Sequence, residues 1–330
     1  MEEKGKKGRM DYTLLLIVVL LVVIGLVILY STSAYNGQVK FHDSFYYLKK
    51  QAFATVLGIV LMLFVAGMDY HIWQRLAVFG YLAAVALSVA VMLFGREING
   101  SKRWLALGPF SFQPSEFAKV ALILFLADLV TKNVKTIGKM WTLCRIMFWI
   151  LPIVGLVGAS NLSTAIIILG IGVILIFVAS PKYAQFALMG IAGACFMGIF
   201  LALESYRLER LAIWRNPEKY EKGYQTLQGL YAIGSGGVFG VGIGNSVQKL
   251  GFVPEAQNDM IFSIICEELG LAGAGIIVFL FLLLIWRFFL IASGSRDLFG
   301  ALIATGAMAH MMIQVILNIA VVTNTIPNTG

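Results

Sequence analysis

The chain has 330 residues, of which 59% are hydrophobic and only 13% charged, and its mean hydropathy is +0.87. Soluble domains carry about 25% charged residues, and a soluble chain of this size could not bury so much apolar surface. Composition therefore excludes a soluble enzyme, a disordered protein and a disulfide scaffold. The net charge of +8 favours contact with anionic lipid headgroups or an anionic substrate. Because no basic run is interleaved with exposed aromatic residues, we expect no nucleic-acid partner.

Continuous apolar runs, long enough to span a bilayer, recur along the chain. They predict an all-α, polytopic helical membrane protein with nine transmembrane helices, at about residues 12–30, 51–67, 76–94, 115–131, 143–159, 162–179, 183–203, 262–286 and 298–322. The runs do not alternate in-out, which argues against an outer-membrane barrel. The chain stops directly after Pro327-Asn328-Thr329-Gly330, so we expect it to be truncated before a last helix.

A cytoplasmic N-terminus is predicted by the basic residues that precede the first span, Lys4, Lys6, Lys7 and Arg9. The basic loop at 132–139 then falls inside, and three larger loops, 31–50, 95–114 and 204–261, fall outside. We expect a single transmembrane domain over 1–330, with 204–261 as its large extracytoplasmic loop and 204–224 as an interfacial helix. Basic residues are about evenly divided between the two sides, and we interpret the outer ones as functional.

The fourth predicted span carries three charged side chains, Glu116, Lys119 and Asp128, which are costly inside a membrane and need a reason. Glu116 and Lys119 are three residues apart on one helix face and can form an ion pair. Two interpretations stay open. The pair either snorkels to the outer interface or belongs to a polar site that faces the bundle interior.

The eighth predicted span begins with Glu267 and Glu268, which precede a long apolar run and can therefore sit near the outer rim. A helix start favours carboxylates there. Asp259 lies at the mouth of the same helix, where an N-cap would be ordinary. However, it shares the predicted outer side with a long loop, the glycine-rich run 234–244 and the charged fourth span. The glycine run lacks the Lys-Ser/Thr ending of a P-loop, so we interpret it as irregular backbone at membrane depth.

Two long motifs occur in order. The first is 99–104 (Asn-Gly-Ser-Lys-Arg-Trp), which continues through 112–119 (Phe-Gln-Pro-Ser-Glu-Phe-Ala-Lys). The second runs from 223–225 (Gly-Tyr-Gln) through 232–237 to Val253-Pro254-Glu255, Asp259 and 267–270 (Glu-Glu-Leu-Gly). Together they resemble the SEDS family (shape, elongation, division and sporulation), which includes FtsW, RodA and SpoVE, over nearly the whole chain. Residues 46–51 and 248–250 look more like FtsW or SpoVE than RodA.

The resemblance implies ten helices in a full-length member. It also implies a peptidoglycan glycosyltransferase that polymerises lipid II, an undecaprenyl-diphosphate-linked disaccharide peptide, at the outer face of the bacterial cytoplasmic membrane for cell division or cell shape. The implied partners are a class B penicillin-binding protein, which is the cognate transpeptidase, and proteins of the division or elongation complex. By motif position, the family's essential aspartate falls on Asp259, the polar residues of its fourth helix on Glu116 and Lys119, and its loop arginine on Arg103.

The chain departs from the family pattern at four places. Gln257-Asn258 replaces the usual His-Thr before the aspartate, and Met260 replaces the usual Phe after it. Asn161 stands where many members have an acidic residue, and the last helix is absent.

The implied reaction needs a base for the attacking hydroxyl and positive charge for the departing diphosphate. We expect Asp259 to be the catalytic base. The residues expected to contact substrate are Arg103, Lys119, Arg210, Lys249, Gln113 and Glu255, with Arg103 favoured because a guanidinium matches phosphate oxygens bidentately. Glu116 then holds Lys119 in place. The expected cofactor is a divalent cation, Mg²⁺ or Mn²⁺, near Asp259, where it bridges a carboxylate and the diphosphate.

Two other functions stay open. A lipid II flippase would use Glu116, Lys119 and Asp128 to line a path for a charged headgroup. A non-catalytic divisome scaffold would only recruit the transpeptidase and division proteins.

Overall fold

The computed structural model describes residues 10–98, 101–107, 110–187, 190 and 212–327. The chain is mostly helical, as predicted. Its helices are α1 (Tyr12–Phe41), α2 (Tyr46–Ala66), α3 (His71–Phe94), α4 (Pro114–Asn133), α5 (Met140–Gly158), α6 (Leu162–Ala179), α7 (Tyr224–Ser235), α8 (Ile261–Ser293) and α9 (Leu298–Val322). Two short 3-10 turns, Pro217–Lys219 and Glu221–Gly223, precede α7.

Seven of the described helices, all except α4 and α7, are long and apolar enough to cross a membrane. Helix α4 forms where the fourth span was predicted, and Glu116, Lys119 and Asp128 all lie on it. Most of the predicted seventh span, 183–203, and much of the predicted interfacial helix, 204–224, lie outside the described residues. The chain is therefore a multi-pass helical membrane protein, and the number of nine crossings stays a prediction.

A three-stranded antiparallel sheet corrects the all-α prediction. Its strands are β1 (Arg96–Ile98), β2 (Ser101–Leu107) and β3 (Phe110–Phe112), in the order β1-β2-β3. β1 and β3 have only three residues each, and the seven residues of β2 do not alternate between polar and apolar, so the segment was interpreted as a loop. The sheet places Arg103 on its central strand and leads into Pro114 at the first turn of α4.

The residues divide into two compact units, each assembled from two parts of the chain. The first unit comprises Met1–Asp69 and Gln228–Arg287, and the second comprises Tyr70–Leu227 and Phe288–Gly330. In the first unit, Ile28 of α1 is buried with Ile265 and Ile277 of α8. In the second unit, α3, α4, α5, α6 and α9 surround an apolar core, whose fully buried members include Leu122, Leu126, Ile150, Ile168 and Phe299.

Connecting segments that were predicted to lie on the same side of the membrane contact each other within each unit. On the predicted outer side of the second unit, Arg103 Nε donates to Ser160 O and Trp214 Nε1 donates to Asn324 O, both at 2.9 Å. On its predicted inner side, Gln185 Nε2 donates to Gly138 O at 3.0 Å and Tyr70 donates to Asp297. In the first unit, Arg287 donates to Asp11. These contacts support the predicted alternation of helix directions.

Candidate active site

Helix α8 begins two residues after Asp259 and is broken at Gly270, where φ is 69° and ψ is −172°. In an unbroken helix the N–H of Leu271 would donate to the carbonyl of Glu267, and the N–H of Ala272 to that of Glu268. The break separates these groups, so each of the four needs another partner.

The glycine-rich run supplies all four partners. Val241 N donates to Glu267 O and Gly242 N to Glu268 O, both at 2.9 Å, while Leu271 N donates to Gly237 O at 2.9 Å and Ala272 N to Val238 O at 3.0 Å. The broken helix and the irregular run thus satisfy each other's backbone groups, as backbone within a membrane must. This arrangement supports the interpretation of the run as irregular backbone and gives no phosphate-binding loop.

Glycine is required at the contact between the run and α8. A Cβ on Gly240, where φ is 77°, would lie 2.2 Å from Glu268 O, and a Cβ on Gly270 would lie 2.3 Å from Gly240 N. A Cβ on Gly236 would lie 1.9 Å from Cys266 O. Because no side chain fits at these distances, the spacing of the glycines follows from the close approach of the two backbones.

Asp259 lies on an exposed turn directly before α8. Its neighbours Ala256 and Met260 are buried in the first unit and anchor the turn on both sides. The departures from the family pattern have partners here. Gln257 Oε1 accepts from Asn36 Nδ2 of α1 at 3.1 Å, and Asn258 Nδ2 donates to Glu255 Oε2 at 2.6 Å.

Glu255 is the only charged residue on this turn with left-handed backbone, at φ 52°. Positive φ in a residue other than glycine costs about 1–2 kcal/mol and often occurs at functional sites. Its side chain is exposed, as expected for a residue predicted to contact substrate, and its role stays a prediction.

Glu267 and Glu268, which were predicted near the outer rim, are buried in the first unit, with 3% of each residue exposed. Glu267 accepts from the Ser246 hydroxyl and from Val247 N at 3.1 Å. Glu268 accepts from Ser31 Oγ at 2.7 and 2.8 Å to its two oxygens and from Lys249 Nζ at 2.6 Å. The two glutamates are buried because the glycine run and residues 246–249 fold over this part of α8, and their position at the outer rim stays a prediction.

Lys249, which was expected to contact the diphosphate, is only 6% exposed. Its Nζ also donates to Ser31 Oγ at 3.0 Å. The structure therefore brings Lys249 together with Glu268 and gives it a buried ion pair.

The predicted pair on α4 is confirmed in the second unit. Lys119 Nζ lies 2.9 Å from Glu116 Oε2, and the Lys119 side chain is 2% exposed whereas that of Glu116 is 53% exposed. Lys119 Nζ also donates to Gln314 Oε1 of α9 at 3.4 Å. Glu116 thus reaches outward and Lys119 inward, so the pair combines the two interpretations that the sequence left open.

Arg103 lines a small pocket in the second unit together with Gln113, Ser115, Ser160 and Asn161. Its Nε donates to Ser160 O, which fixes the plane of the guanidinium. Asn161 accepts from Thr164 N at 3.2 Å and caps α6, so the residue that departs from the family's acidic pattern has a structural contact here. The pocket brings Arg103 and Gln113 together, as the predicted roles require.

Arg210, which was expected to contact substrate, lies outside the described residues. Ser31, Ser246 and Gln314 contact predicted site residues and were missed, since isolated polar residues in or beside apolar runs give no motif.

Among the described residues, no group of three or more His, Cys, Asp or Glu side chains could hold a metal ion.

The fold and these sites define a class: a polytopic helical membrane protein with an exposed carboxylate before a broken helix, a buried ion pair between that helix and the preceding loop, and a buried lysine paired with a glutamate on α4. The model of the FtsW/RodA/SpoVE family, described as Cell cycle protein, matches residues 12–330. This chain belongs to that family.

Individual relatives agree with this assignment. Stage V sporulation protein E of Bacillus subtilis (strain 168) is 38% identical, over 98% of this chain and 90% of its own length. A probable peptidoglycan glycosyltransferase FtsW of Trichlorobacter lovleyi is 34% identical, over 97% and 86%. Among solved structures, one described as "Structural coordination of polymerization and crosslinking by a peptidoglycan synthase complex" contains a chain with a TM-score of 0.81 and 28% identity, over 97% of this chain and 89% of that one.

Proposed function

We propose that this chain is a peptidoglycan glycosyltransferase that polymerises lipid II into glycan strands at the outer face of the cytoplasmic membrane, in cell division or cell shape. The observation that carries the proposal is membership of the FtsW/RodA/SpoVE family over residues 12–330, where relatives are named for this activity. The exposed position of Asp259 directly before α8 supports it.

The chemistry sets what the residues must do. A sugar hydroxyl attacks an anomeric carbon, the new glycosidic bond forms as the bond to the lipid diphosphate breaks, and a single displacement inverts the sugar from α to β. A base must take the proton of the GlcNAc 4-hydroxyl. The diphosphate is a good leaving group, so it needs nearby cations and no strong acid.

Asp259 is the carboxylate best suited to be the base. Glu267 and Glu268 also lie near the start of α8, but both are buried and hydrogen bonded. Asp259 is exposed, so a sugar hydroxyl can approach it.

Cationic side chains of the second unit suit the diphosphate. Arg103 is oriented through its Nε, and its two Nη groups carry the other four N–H donors in a fork that fits phosphate oxygens. Gln113 lies in the same pocket and adds an amide. Lys119 is buried and paired with Glu116, so it would add positive charge from inside the unit without binding the diphosphate directly.

A divalent cation would add positive charge at the diphosphate. The described residues do not supply three side-chain ligands of their own, so Mg²⁺ or Mn²⁺ would depend on diphosphate oxygens. No step of the proposed mechanism runs through it.

The proposal is tested with the purified chain, its transpeptidase partner and fluorescent lipid II. Wild-type protein is expected to form glycan polymer, and Asp259→Asn to lower the rate by about 10²–10⁴-fold, because general-base catalysis contributes about that much. Asp43→Asn is the matched control, since Asp43 is a carboxylate of the same unit on the α1–α2 turn, paired with Lys49.

Other outcomes would favour the other functions. Lipid scrambling without polymer, together with sensitivity to Asp128→Asn, would indicate a flippase. Asp128 is buried between Lys132 and Gln74, at 2.6 and 3.0 Å, which explains its presence without transport. If Asp259→Ala forms no polymer but still supports growth, the chain acts as a scaffold.

We also propose the partner and the orientation. The solved relative comes from a complex that coordinates polymerization with crosslinking, which supports a class B penicillin-binding protein as partner of this chain alongside division or elongation proteins. The basic residues before α1 favour a cytoplasmic N-terminus.

A further inference from the structure

The ammonium group of Lys249 is already engaged inside the first unit. A lysine Nζ has three N–H donors. Two of them bind Glu268 Oε1 at 2.6 Å and Ser31 Oγ at 3.0 Å. Ser31 in turn hydrogen bonds both oxygens of the same carboxylate. The three side chains, from α1, α8 and the loop between α7 and α8, form a closed, buried network.

This network argues against a diphosphate ligand at Lys249. The third donor of Nζ does not reach solvent, because only 6% of Lys249 is exposed. To bind a substrate phosphate, Nζ would therefore have to move out and leave Glu268, whose side chain is 3% exposed. A buried carboxylate without its cation is strongly unfavourable.

The network also fixes the segment that leads to Asp259. Glu267, the neighbour of Glu268, binds the Ser246 hydroxyl and Val247 N. Ser246 Oγ accepts a hydrogen bond from Lys249 N at 3.2 Å, and Val253 N donates to Gln248 O at 2.9 Å. Residues 246–249 are therefore attached to two consecutive residues of α8. The hydrogen bond from Val253 N holds the next part of the loop against them.

From this attachment the chain runs directly to the turn with Asp259. Val253, Ala256 and Met260 are buried along the way. The turn is thus held at one end by the start of α8 and at the other end by the Lys249–Glu268 pair.

We infer that Lys249 and Glu268 are positioning residues, whose buried ion pair fixes segment 246–249 on α8 and thereby the turn that carries Asp259. The inference rests on the proposed function, because it concerns the placement of the base. It replaces the expected contact of Lys249 with diphosphate by a role that acts through Asp259.

Kinetics separate the two roles. With fluorescent lipid II, Lys249→Met is expected to lower kcat by about 10–100-fold with little change in KM, because misplaced catalytic groups slow the chemical step. The doubly reversed variant Lys249→Glu/Glu268→Lys, which restores a pair, is expected to recover much of kcat. Lys49→Met, which breaks an exposed ion pair in the same unit, is the control and is expected to match wild type. A raised KM with unchanged kcat, or no recovery in the double variant, would overturn the inference.

Hydrogen exchange tests the positioning without catalysis. In Lys249→Met the amides of 245–260 are expected to exchange faster, and in the doubly reversed variant they are expected to return towards wild-type rates, while α2 is unchanged throughout. Lys249→Arg keeps the charge and serves if the methionine variant does not fold; it is expected to keep both protection and kcat. Unchanged protection in Lys249→Met contradicts the inference. If the wild type makes no polymer, the proposed function fails, and exchange alone decides whether the pair holds the loop.

Discussion

Buried charge in the described part of the chain is always compensated. The buried charged residues are Lys119, Asp128, Lys249, Glu267 and Glu268. Four of them have an oppositely charged partner, and Glu267 is bound by a hydroxyl and a backbone amide. Because an uncompensated charge in a membrane is expensive, each pair restricts where its helix or loop can lie. Asp259 differs from this group in being exposed.

Asp11, directly before α1, makes the stability of the folded state depend on pH. Burial favours its protonated form, but hydrogen bonds from Leu14 N and Arg287, together with the Arg287 charge, lower its pKa below the ordinary value of 3.8. The folded state therefore gains stability from the charged form at neutral pH, and this gain is lost as the pH falls below about 4 through the lowered pKa.

The test compares thermal unfolding of wild type and Asp11→Asn in detergent across this pH range. Asparagine is also a good N-cap, so the substitution keeps an acceptor for Leu14 N and removes the charge together with the acceptor for Arg287. We expect the variant to be less stable by up to about 1 kcal/mol at pH 7 and equal to wild type at the acidic end. A difference that stays constant with pH would contradict the assignment.

Local sequence spacing predicted the Glu116–Lys119 pair and missed the Lys249–Glu268 pair. Glu116 and Lys119 are neighbours on a helix, so their contact follows from the period of the helix. Lys249 and Glu268 are separated by 19 residues of loop and helix, and Ser31 is 237 residues away from Glu268. Such contacts depend on how the unit packs, which no local pattern encodes. The position of Asp259 before a helix was predicted, since it follows from the apolar run alone.

At the scale of elements, hydropathy located helices but not their ends or breaks. Helix α1 was predicted at 12–30 but continues to Phe41. Its second part is polar and adds little hydropathy, so the apolar run did not reveal it. The α8 region reads as one apolar run, and only the partners of Gly270 show that it is broken. The sheet was missed because β1 and β3 are very short and β2 does not alternate between polar and apolar residues.

Gly270→Ala tests the contact between α8 and the glycine-rich run. The added methyl group would lie 2.3 Å from Gly240 N at a backbone φ of 69°, so we expect a large loss of stability, several kcal/mol or failure to fold. In the matched control Gly275→Ala, on the same helix, nothing lies within 4 Å of the new Cβ. That variant is expected to be as stable as wild type or more stable by up to about 1 kcal/mol. Thermal unfolding in detergent measures both, and equal effects would contradict the assignment.

At the scale of the whole molecule, the contacts between connecting segments support alternating helix directions but leave the absolute orientation to the distribution of charge. The sequence predicted the sides of these segments from the order of the spans. Hydropathy predicted nine crossings, of which seven described helices are long and apolar enough. The number nine stays a prediction, since α4 carries charges and most of the seventh predicted span lies outside the described residues.

Cysteine labelling in intact cells tests the orientation. In a variant without the three natural cysteines, Lys40→Cys and Lys135→Cys place single thiols at exposed positions near the α1–α2 and α4–α5 connections. A membrane-impermeant maleimide is expected to label Lys40→Cys directly and Lys135→Cys only after permeabilisation, because the basic N-terminus favours the cytoplasm. The reverse pattern would place Asp259 on the wrong side for a reaction at the outer face.

The exchanged backbone hydrogen bonds at Gly270 also have a consequence for biosynthesis. The partners on the glycine run and on α8 lie about 30 residues apart, so the entropy lost in bringing them together is modest. A ribosome delivers both in close succession to the insertion machinery. The nascent chain can therefore complete this junction before α9 is synthesised, and it never has to leave four polar amide groups facing lipid while it waits for distant segments.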